Sequence, residues 1–199
     1  MTWTNSLQPH YGYFSKNVTI FTPPTDAGYD FKQFRDQSAF QEAVAERYET
    51  EYGGAIPGMA AAADGKKGEG LGRQVWHTPT ELFKPYFARS LTSAILEKYK
   101  RNHFPHEDLF IYEVGAGNGS FMLDSLKFLR DEHPEVFAKT TYRIIEISAA
   151  LAQIQRQRAH KAGFTNVEVI NQDFFKWNGR NSHPCFVVAN EVFVSNHQI

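Results

Sequence analysis

The sequence predicts an α/β protein built on a doubly wound, mostly parallel sheet. Four short apolar runs have the composition of buried strands: 109–114, 141–147, 167–170 and 185–189. Segments 121–130 and 149–162, which lie between these runs, have the periodicity of amphipathic helices. Because strands and helices alternate along the chain, we expect parallel strands joined by right-handed crossovers.

An amino-terminal extension precedes this alternating pattern. Residues 1–30 are rich in aromatic residues and turn formers, so we expect an irregular arm there. The apolar spacing over 31–52 predicts a helix, and the glycine, alanine and lysine content of 53–73 predicts a flexible loop. The chain is therefore divided into an extension, 1–75, and a sheet-bearing unit, 76–199.

The sheet-bearing unit opens with the signals of a helix amino terminus. Thr78 and Glu81 match the S/T-x-x-E capping pattern. Pro79 occupies the first helical position, where its missing N–H costs nothing. We expect one helix to follow, with these residues on a single apolar face: Phe83, Phe87, Leu91 and Ile95.

Three glycines at alternate positions follow the first predicted strand: Gly115, Gly117 and Gly119. Their G-x-G-x-G spacing differs from the G-x-G-x-x-G dinucleotide fingerprint. Glycine permits positive φ and lets a ligand approach the backbone where a Cβ would collide. The helix that begins after the turn directs unpaired N–H groups toward it. We interpret the turn as part of a ligand site; a glycine-rich turn needed only for packing is the alternative.

Every predicted strand delivers an acid or an amide to its carboxyl end. The residues concerned are Glu113, Glu146, Asp173, Asn190 and Glu191. Ligands of open α/β sheets bind outside the carboxyl ends of the strands. The sequence therefore predicts a binding site at this edge, although each acid could instead be a surface carboxylate that caps a helix.

The motifs resemble those of one family. Segment 113–120, E-V-G-A-G-N-G-S, resembles the E-V-G-x-G-x-G-T/S motif of the MidA-type methyltransferases. This class I S-adenosylmethionine-dependent family includes the arginine methyltransferase of mitochondrial complex I assembly. Segment 145–148 resembles the family's V-E-I-S motif, and 189–191 resembles the start of its A-N-E-x-x-D segment. Segment 77–83 is similar to its T-S-P-E-x-S-x-x-F helix.

The resemblance implies a Rossmann-like methyltransferase domain whose amino-terminal part is 76–199, with S-adenosylmethionine as cofactor. The glycine turn would pack against the methionine and ribose part of the cofactor. Glu146 would accept both ribose hydroxyls, because a carboxylate can take two O–H donors. Asp173 would accept from the adenine amino group, and Glu113 would hold the cofactor's ammonium.

The same resemblance implies methyl transfer to an arginine nitrogen of a partner protein. Glu191 would orient the guanidinium through paired N–H donors, and Asn190 would fix the geometry nearby. Mitochondrial residence and a role in complex I assembly are implied by the family alone. The first twenty residues lack the pattern of a transit peptide, so a cytoplasmic location is the alternative.

The chain departs from the family after 189–193. Val194 stands where the family has an aspartate, and the four predicted strands are fewer than the family's sheet contains. We therefore expect a truncated or mis-spliced product with an incomplete sheet and little or no catalysis. A non-catalytic binding or assembly protein, or an inactive fragment, is the main alternative. An NAD-dependent oxidoreductase is a further one, which the glycine spacing disfavours.

The composition narrows the function classes further. Lysine plus arginine, 21, nearly cancels aspartate plus glutamate, 22, so there is no basic excess for nucleic-acid binding. No apolar run approaches the roughly 18 residues of a membrane span.

The single cysteine, Cys185, excludes a disulfide within the chain. His103 and His106 lack a third ligand at metal-binding spacing, so no metal site is expected. The oligomeric state is left open.

Overall fold

The computed structural model describes residues 20, 22–25, 27–52, 78–179, 181–190 and 192. The α-helices in these ranges are α1 (Gln37–Tyr52), α2 (Pro79–Leu82), α3 (Tyr86–Asn102), α4 (Ser120–Glu132), α5 (Pro134–Phe137) and α6 (Ala149–Lys161). The strands are β1 (Leu109–Val114), β2 (Thr140–Glu146), β3 (Val167–Asn171) and β4 (Cys185–Val188). Two 3-10 turns, Phe31–Gln33 and Phe174–Lys176, complete the described elements.

The four strands form one sheet in the order β3-β2-β1-β4, and every pair is parallel. This confirms the predicted parallel α/β fold and places all the carboxyl ends at one edge. The register sets Glu113 of β1 between Ile144 of β2 and Val188 of β4. Glu146, the last residue of β2, pairs with Asn171 of β3.

Helices α3, α4 and α6 share one core with the same face of the sheet. The strands contribute Ile111, Tyr142, Ile144 and Val188 to this core. The helices contribute fully or nearly fully buried side chains to it: Ile95, Leu96, Tyr99, Phe121, Met122, Leu126, Leu129 and Ala159. This apolar burial supplies the main stabilisation of the fold.

The opposite face of the sheet carries a smaller cluster. Tyr112, Val114 and Ile145 are buried there, against the partly buried Phe174 and Trp177 of the segment that follows β3. Within the described ranges, all the longer helices that pack on the sheet lie on the first face, so a second helical layer of a doubly wound fold is not among these residues.

The predicted single helix after Thr78 is wrong: it is two helices. Thr78 does cap the first one, accepting from the Glu81 N–H at 3.3 Å, and Pro79 is its first residue. However, α2 ends at Leu82 and α3 begins only at Tyr86. Pro85 lacks an N–H and disfavours helical geometry in the residue before it, which separates the two.

The break also changes the apolar face expected for this helix. Phe83 lies between α2 and α3 and remains 50% exposed, whereas Phe87, Leu91 and Ile95 pack toward the core as predicted.

The other predicted elements hold, with small shifts. The helix expected over 31–52 begins only at Gln37, since the chain first makes a 3-10 turn and Asp36 then accepts from the Ala39 N–H at 2.9 Å. Helix α6 begins after Ser148, whose hydroxyl accepts from the Leu151 N–H, and Gly163 beyond its end has φ +75°. The irregular arm, apart from its last residues, and the flexible loop at 53–73 lie outside the described residues.

Candidate functional site

The glycine turn joins the end of β1 to the start of α4. Its three glycines have φ values of +66°, +54° and +75°, a left-handed conformation that favours glycine. Gly119 is the N-cap residue of α4, and its N–H donates to the Ala116 carbonyl at 2.8 Å. The backbone of the turn therefore requires glycine for its conformation, independently of any ligand.

Ile20 of the amino-terminal extension lies against this turn. A Cβ added at Gly117 would lie 2.5 Å from Cδ1 of Ile20. The Asn118 side-chain amide donates to the Ile20 carbonyl at 3.3 Å. Ile20 therefore occupies space that the predicted ligand was expected to need.

A cavity of about 340 Å³ lies beside this contact. Its lining includes Ile20, Asn118 and two cationic side chains, Lys84 and Arg158. Of the predicted acids that the structure describes, Glu113, Glu146 and Asp173, none lines it, so this cavity is distinct from the positions of these three acids at the strand ends.

Glu146 is 3% exposed, and the protein already binds both of its carboxylate oxygens. The Ser148 N–H donates to Oε1 at 2.9 Å, and the Gln155 amide donates to Oε2 at 3.0 Å. Burial raises the pKa of Glu146, while these hydrogen bonds act in the opposite direction. The Ile147 backbone N–H also stabilises this carboxylate, so a ligand can reach it only if neighbouring groups move.

Glu113 is buried as well, at 4% exposure. Its Oε2 accepts from the Tyr142 hydroxyl at 2.8 Å. The pKa of Glu113 is raised to about 8, mainly by burial; the Tyr142 hydrogen bond acts to lower this pKa and the charge of Glu146 acts to raise it. At neutral pH the Glu113 side chain is therefore mostly protonated, and a cation beside it would favour its ionised form.

The polar residues after β3 and β4 differ from each other. Asp173 caps the 3-10 turn Phe174–Lys176 by accepting from the Phe175 N–H at 2.9 Å, as the helix-capping alternative predicts. Phe175 itself is 77% exposed. The buried Nδ2 of Asn190 has no hydrogen-bond partner among the residues that the structure describes. Glu191 lies outside the described residues.

The strand order sets these side chains in a row along one edge of the sheet. From β3 to β4 the row is Asp173, Glu146, Glu113 and Asn190. Neighbouring strands lie about 4.8 Å apart, so the row spans roughly 14 Å. The glycine turn leaves the same edge at β1. This arrangement offers hydroxyl acceptors, an amide donor and a glycine backbone to one elongated ligand.

Comparison with known proteins identifies the family. A family described as "Putative S-adenosyl-L-methionine-dependent methyltransferase" matches residues 90–194, which is more than half of the chain. The chain belongs to this family. The match includes β1 to β4, the glycine turn and every predicted site residue.

One curated relative extends the likeness. The chain is 32% identical over 120 residues to the "Protein arginine methyltransferase NDUFAF7 homolog, mitochondrial" of Schizosaccharomyces pombe. The alignment covers 58% of this chain and 26% of that protein, so the chain spans about a quarter of the relative's length.

Among solved structures, methyltransferases give partial likenesses. One is a dimethyladenosine transferase from Plasmodium falciparum, with 19% identity, a TM-score of 0.33, and coverage of 47% of this chain and 30% of that one. Another is PKMT2 from Rickettsia typhi in complex with AdoHcy, with 16% identity, a TM-score of 0.36, and coverage of 44% and 16%.

Three site residues of this methyltransferase-family chain were not predicted. Tyr142 lies four positions before Glu146 and therefore on the same face of β2. The alternation of side chains along the predicted strand could have indicated that Tyr142 belongs to the site. Gln155 is a polar residue within the buried stripe of α6, which is an unusual position. Asn171, the last residue of β3, donates to the backbone carbonyl of Glu146 at 2.7 Å. Nothing in the sequence around Asn171 indicated this contact.

Within the ranges that the structure describes, no helix is long and apolar enough to cross a membrane. The same ranges contain no cluster of three or more His, Cys, Asp or Glu residues arranged to hold a metal ion.

Proposed function

We propose that this chain carries the S-adenosylmethionine site of a methyltransferase. The observation that supports the proposal most directly is the row of Asp173, Glu146, Glu113 and Asn190 beside the glycine turn. Its chemistry fits a nucleoside joined to an amino acid: carboxylates for hydroxyl and ammonium donors, and a buried, unpaired amide N–H at Asn190. Membership of the family supports the same ligand.

When bound, the cofactor would supply a sulfonium methyl group for in-line transfer to an acceptor nitrogen, with the thioether as leaving group and one proton lost from that nitrogen. The chain's own residues bind and orient, which is where most of the catalysis of such a displacement arises. Glu146 holds the ribose hydroxyls and fixes the adenosyl group. Glu113 ionises beside the ammonium and anchors the amino-acid end. Asp173 accepts from the adenine amino group.

We propose an arginine side chain of a protein as the methyl acceptor. The name of the fission-yeast relative supports this substrate. Asn190 lies at the β4 end of the row, where its free amide can position an acceptor. Glu191 is proposed to bind the guanidinium through paired hydrogen bonds. The name of the same relative supports a mitochondrial location, and a role in complex I assembly stays a prediction from the sequence motifs.

Calorimetric titration of the purified chain with S-adenosylmethionine tests the cofactor site. Glu146→Gln should weaken binding about tenfold or more, since a hydrogen bond to a charged group is worth roughly 1.5–3 kcal/mol. The matched control is Glu97→Gln on α3. This side chain is 71% exposed and pairs with Arg101 on the same helix, so wild-type affinity is expected.

Transfer of a labelled methyl group to arginine peptides then separates catalysis from binding. Wild-type binding with transfer supports the proposal. Tight binding without transfer would favour the non-catalytic binding protein instead. A folded wild-type chain that binds no S-adenosylmethionine would contradict the cofactor site itself.

A further inference from the structure

Gln155 joins the two parts of the candidate cofactor site. Its side chain is fully buried on α6, at 0% exposure. Its amide nitrogen Nε2 lies 3.0 Å from Oε2 of Glu146 and 2.8 Å from the carbonyl oxygen of Gly117. One amide group therefore donates to the acid at the end of β2 and to the glycine turn at the end of β1.

Gln155 supplies the side-chain donor that holds the second oxygen of Glu146. The Ser148 N–H donates to Oε1 at 2.9 Å, and the Ile147 N–H also stabilises the carboxylate. Both of these donors belong to the backbone that directly follows Glu146, whereas Gln155 reaches Oε2 from α6. Together the three donors fix the plane of the carboxylate and hence the direction of its remaining acceptor site.

The glycine turn is fitted to the same side chain. A Cβ added at Gly119 would lie 3.4 Å from Cγ of Gln155 and 3.3 Å from Cε of Met122. The Gly117 carbonyl, which accepts from Gln155, belongs to the residue that contacts Ile20. Gln155 therefore sets the distance between the turn and the acid.

A purely structural role explains this arrangement poorly. The other buried positions of α6, at Leu151, Ala152 and Ala159, are apolar. Gln155 instead keeps a buried Oε1 that no described residue hydrogen-bonds. Such an orphaned acceptor costs stability that an apolar side chain of the same length would not.

We propose that Gln155 is a positioning residue for cofactor binding. It orients the Glu146 carboxylate toward the ribose hydroxyls and holds the glycine turn at the matching distance. This inference rests on the proposed function, because it assigns Glu146 to the ribose. It predicts that a variant without the Gln155 amide loses its preference for a ligand that carries the ribose hydroxyls. A general loss of affinity would instead weaken ligands with and without these hydroxyls equally.

The test compares S-adenosylhomocysteine with its 2′-deoxy analogue by calorimetry. The wild-type chain should prefer the hydroxylated ligand by about tenfold or more. Gln155→Met keeps the length of the side chain and removes both N–H donors. In this variant the preference should fall to threefold or less, on the order of what an unoriented acceptor retains.

The matched control is Gln153→Met, the same substitution at an exposed position of the same helix. It should keep the wild-type preference. Gln155→Asn is the second variant in case Gln155→Met does not fold. It retains the amide but is one methylene too short to reach both acceptors, so its preference should fall equally.

Each outcome is informative. A Gln155 variant that weakens both ligands equally, or that keeps the wild-type preference, overturns the positioning role while the proposed function survives. A wild-type chain that binds both ligands without preference removes Glu146 from the ribose and the positioning role with it. A folded wild-type chain that binds neither ligand contradicts the proposed function itself.

Discussion

Glu113 is the residue whose ionisation is most strongly altered by the fold. It lies in β1, an interior strand of the sheet, and is paired with the apolar residues Ile144 of β2 and Val188 of β4. The Tyr142 hydroxyl donates a hydrogen bond to its carboxyl group. Its burial raises its pKa from 4.5 to about 8. The folded state therefore binds a proton that the unfolded chain has already released at neutral pH.

This predicts a pH-dependent stability. Below pH 4.5 Glu113 is protonated in both states, and above about pH 8 it is ionised in both. Between these values the native state holds more protons, so the free energy of unfolding falls as the pH rises, by up to about 1.4 kcal/mol per pH unit from this group. Glu113→Gln, whose amide carbonyl can still accept from Tyr142, should flatten that slope.

Urea unfolding of both chains at intervals from pH 4.5 to 8 measures the difference. The comparison matters more than the wild-type curve alone, because burial also raises the pKa of Asp124, to about 6. Glu97→Gln is the matched exposed control. Parallel curves for wild-type and Glu113→Gln would show that Glu113 ionises normally in the fold.

Individual residues show where sequence information ends. The positions of Glu113 and Glu146 at strand ends follow from the apolar runs before them, and the structure confirms both positions. Their partners Tyr142 and Gln155 come from other elements, and these contacts depend on strand register and helix placement. The cofactor roles of these acids remain predictions.

At the scale of elements, Ile20 of the extension couples to the glycine turn at both Gly117 and Asn118. Gly117 has φ +54°, and Ile20 lies against it. Gly117→Ala should destabilise the fold for two reasons. A left-handed conformation costs a non-glycine residue roughly 1–2 kcal/mol, and the new Cβ would lie 2.5 Å from Cδ1 of Ile20.

The two contributions can be separated by a double-mutant cycle. Ile20→Ala removes the atom that the new Cβ meets, so the double variant should recover the steric part of the loss and keep the backbone part. Thermal unfolding of the four chains gives the coupling energy. Strict additivity would mean that Ile20 does not pack on the turn in solution.

The elements themselves were largely predictable because their signals are local. The bounds of β1 match the expected run 109–114, and the Ser148 and Gly163 signals delimit α6. The prediction failed at Pro85, where apolar spacing continued through a residue that interrupts helical hydrogen bonding. The contact between Ile20 and Gly117 joins residues far apart in the chain, and nothing near either residue indicates it.

For the whole molecule, the important asymmetry is between the two faces of the sheet. Helices α3, α4 and α6 cover one face, whereas the described part of the other carries mainly the segment after β3. The sequence predicted parallel strands but not their order, because the pairing of β4 with β1 is a long-range choice.

Two adjacent valines of β4 test this asymmetry directly. Val188 is 6% exposed and belongs to the core beneath the helices, whereas Val187 is 61% exposed on the opposite face. Val188→Ala should lower the free energy of unfolding by about 2 kcal/mol, as expected for buried methyl groups. Val187→Ala should change it by less than about 0.5 kcal/mol.

Because the residue type, strand and substitution are the same, the difference between these two variants reports on the two environments. Urea unfolding of both chains measures it. Equal losses would mean that Val187 is buried in solution, with another surface covering this face of the sheet. If only Val188→Ala destabilises the chain, burial against α3, α4 and α6 supplies most of the stability of the sheet. The edge that carries the candidate site is then supported by that single core.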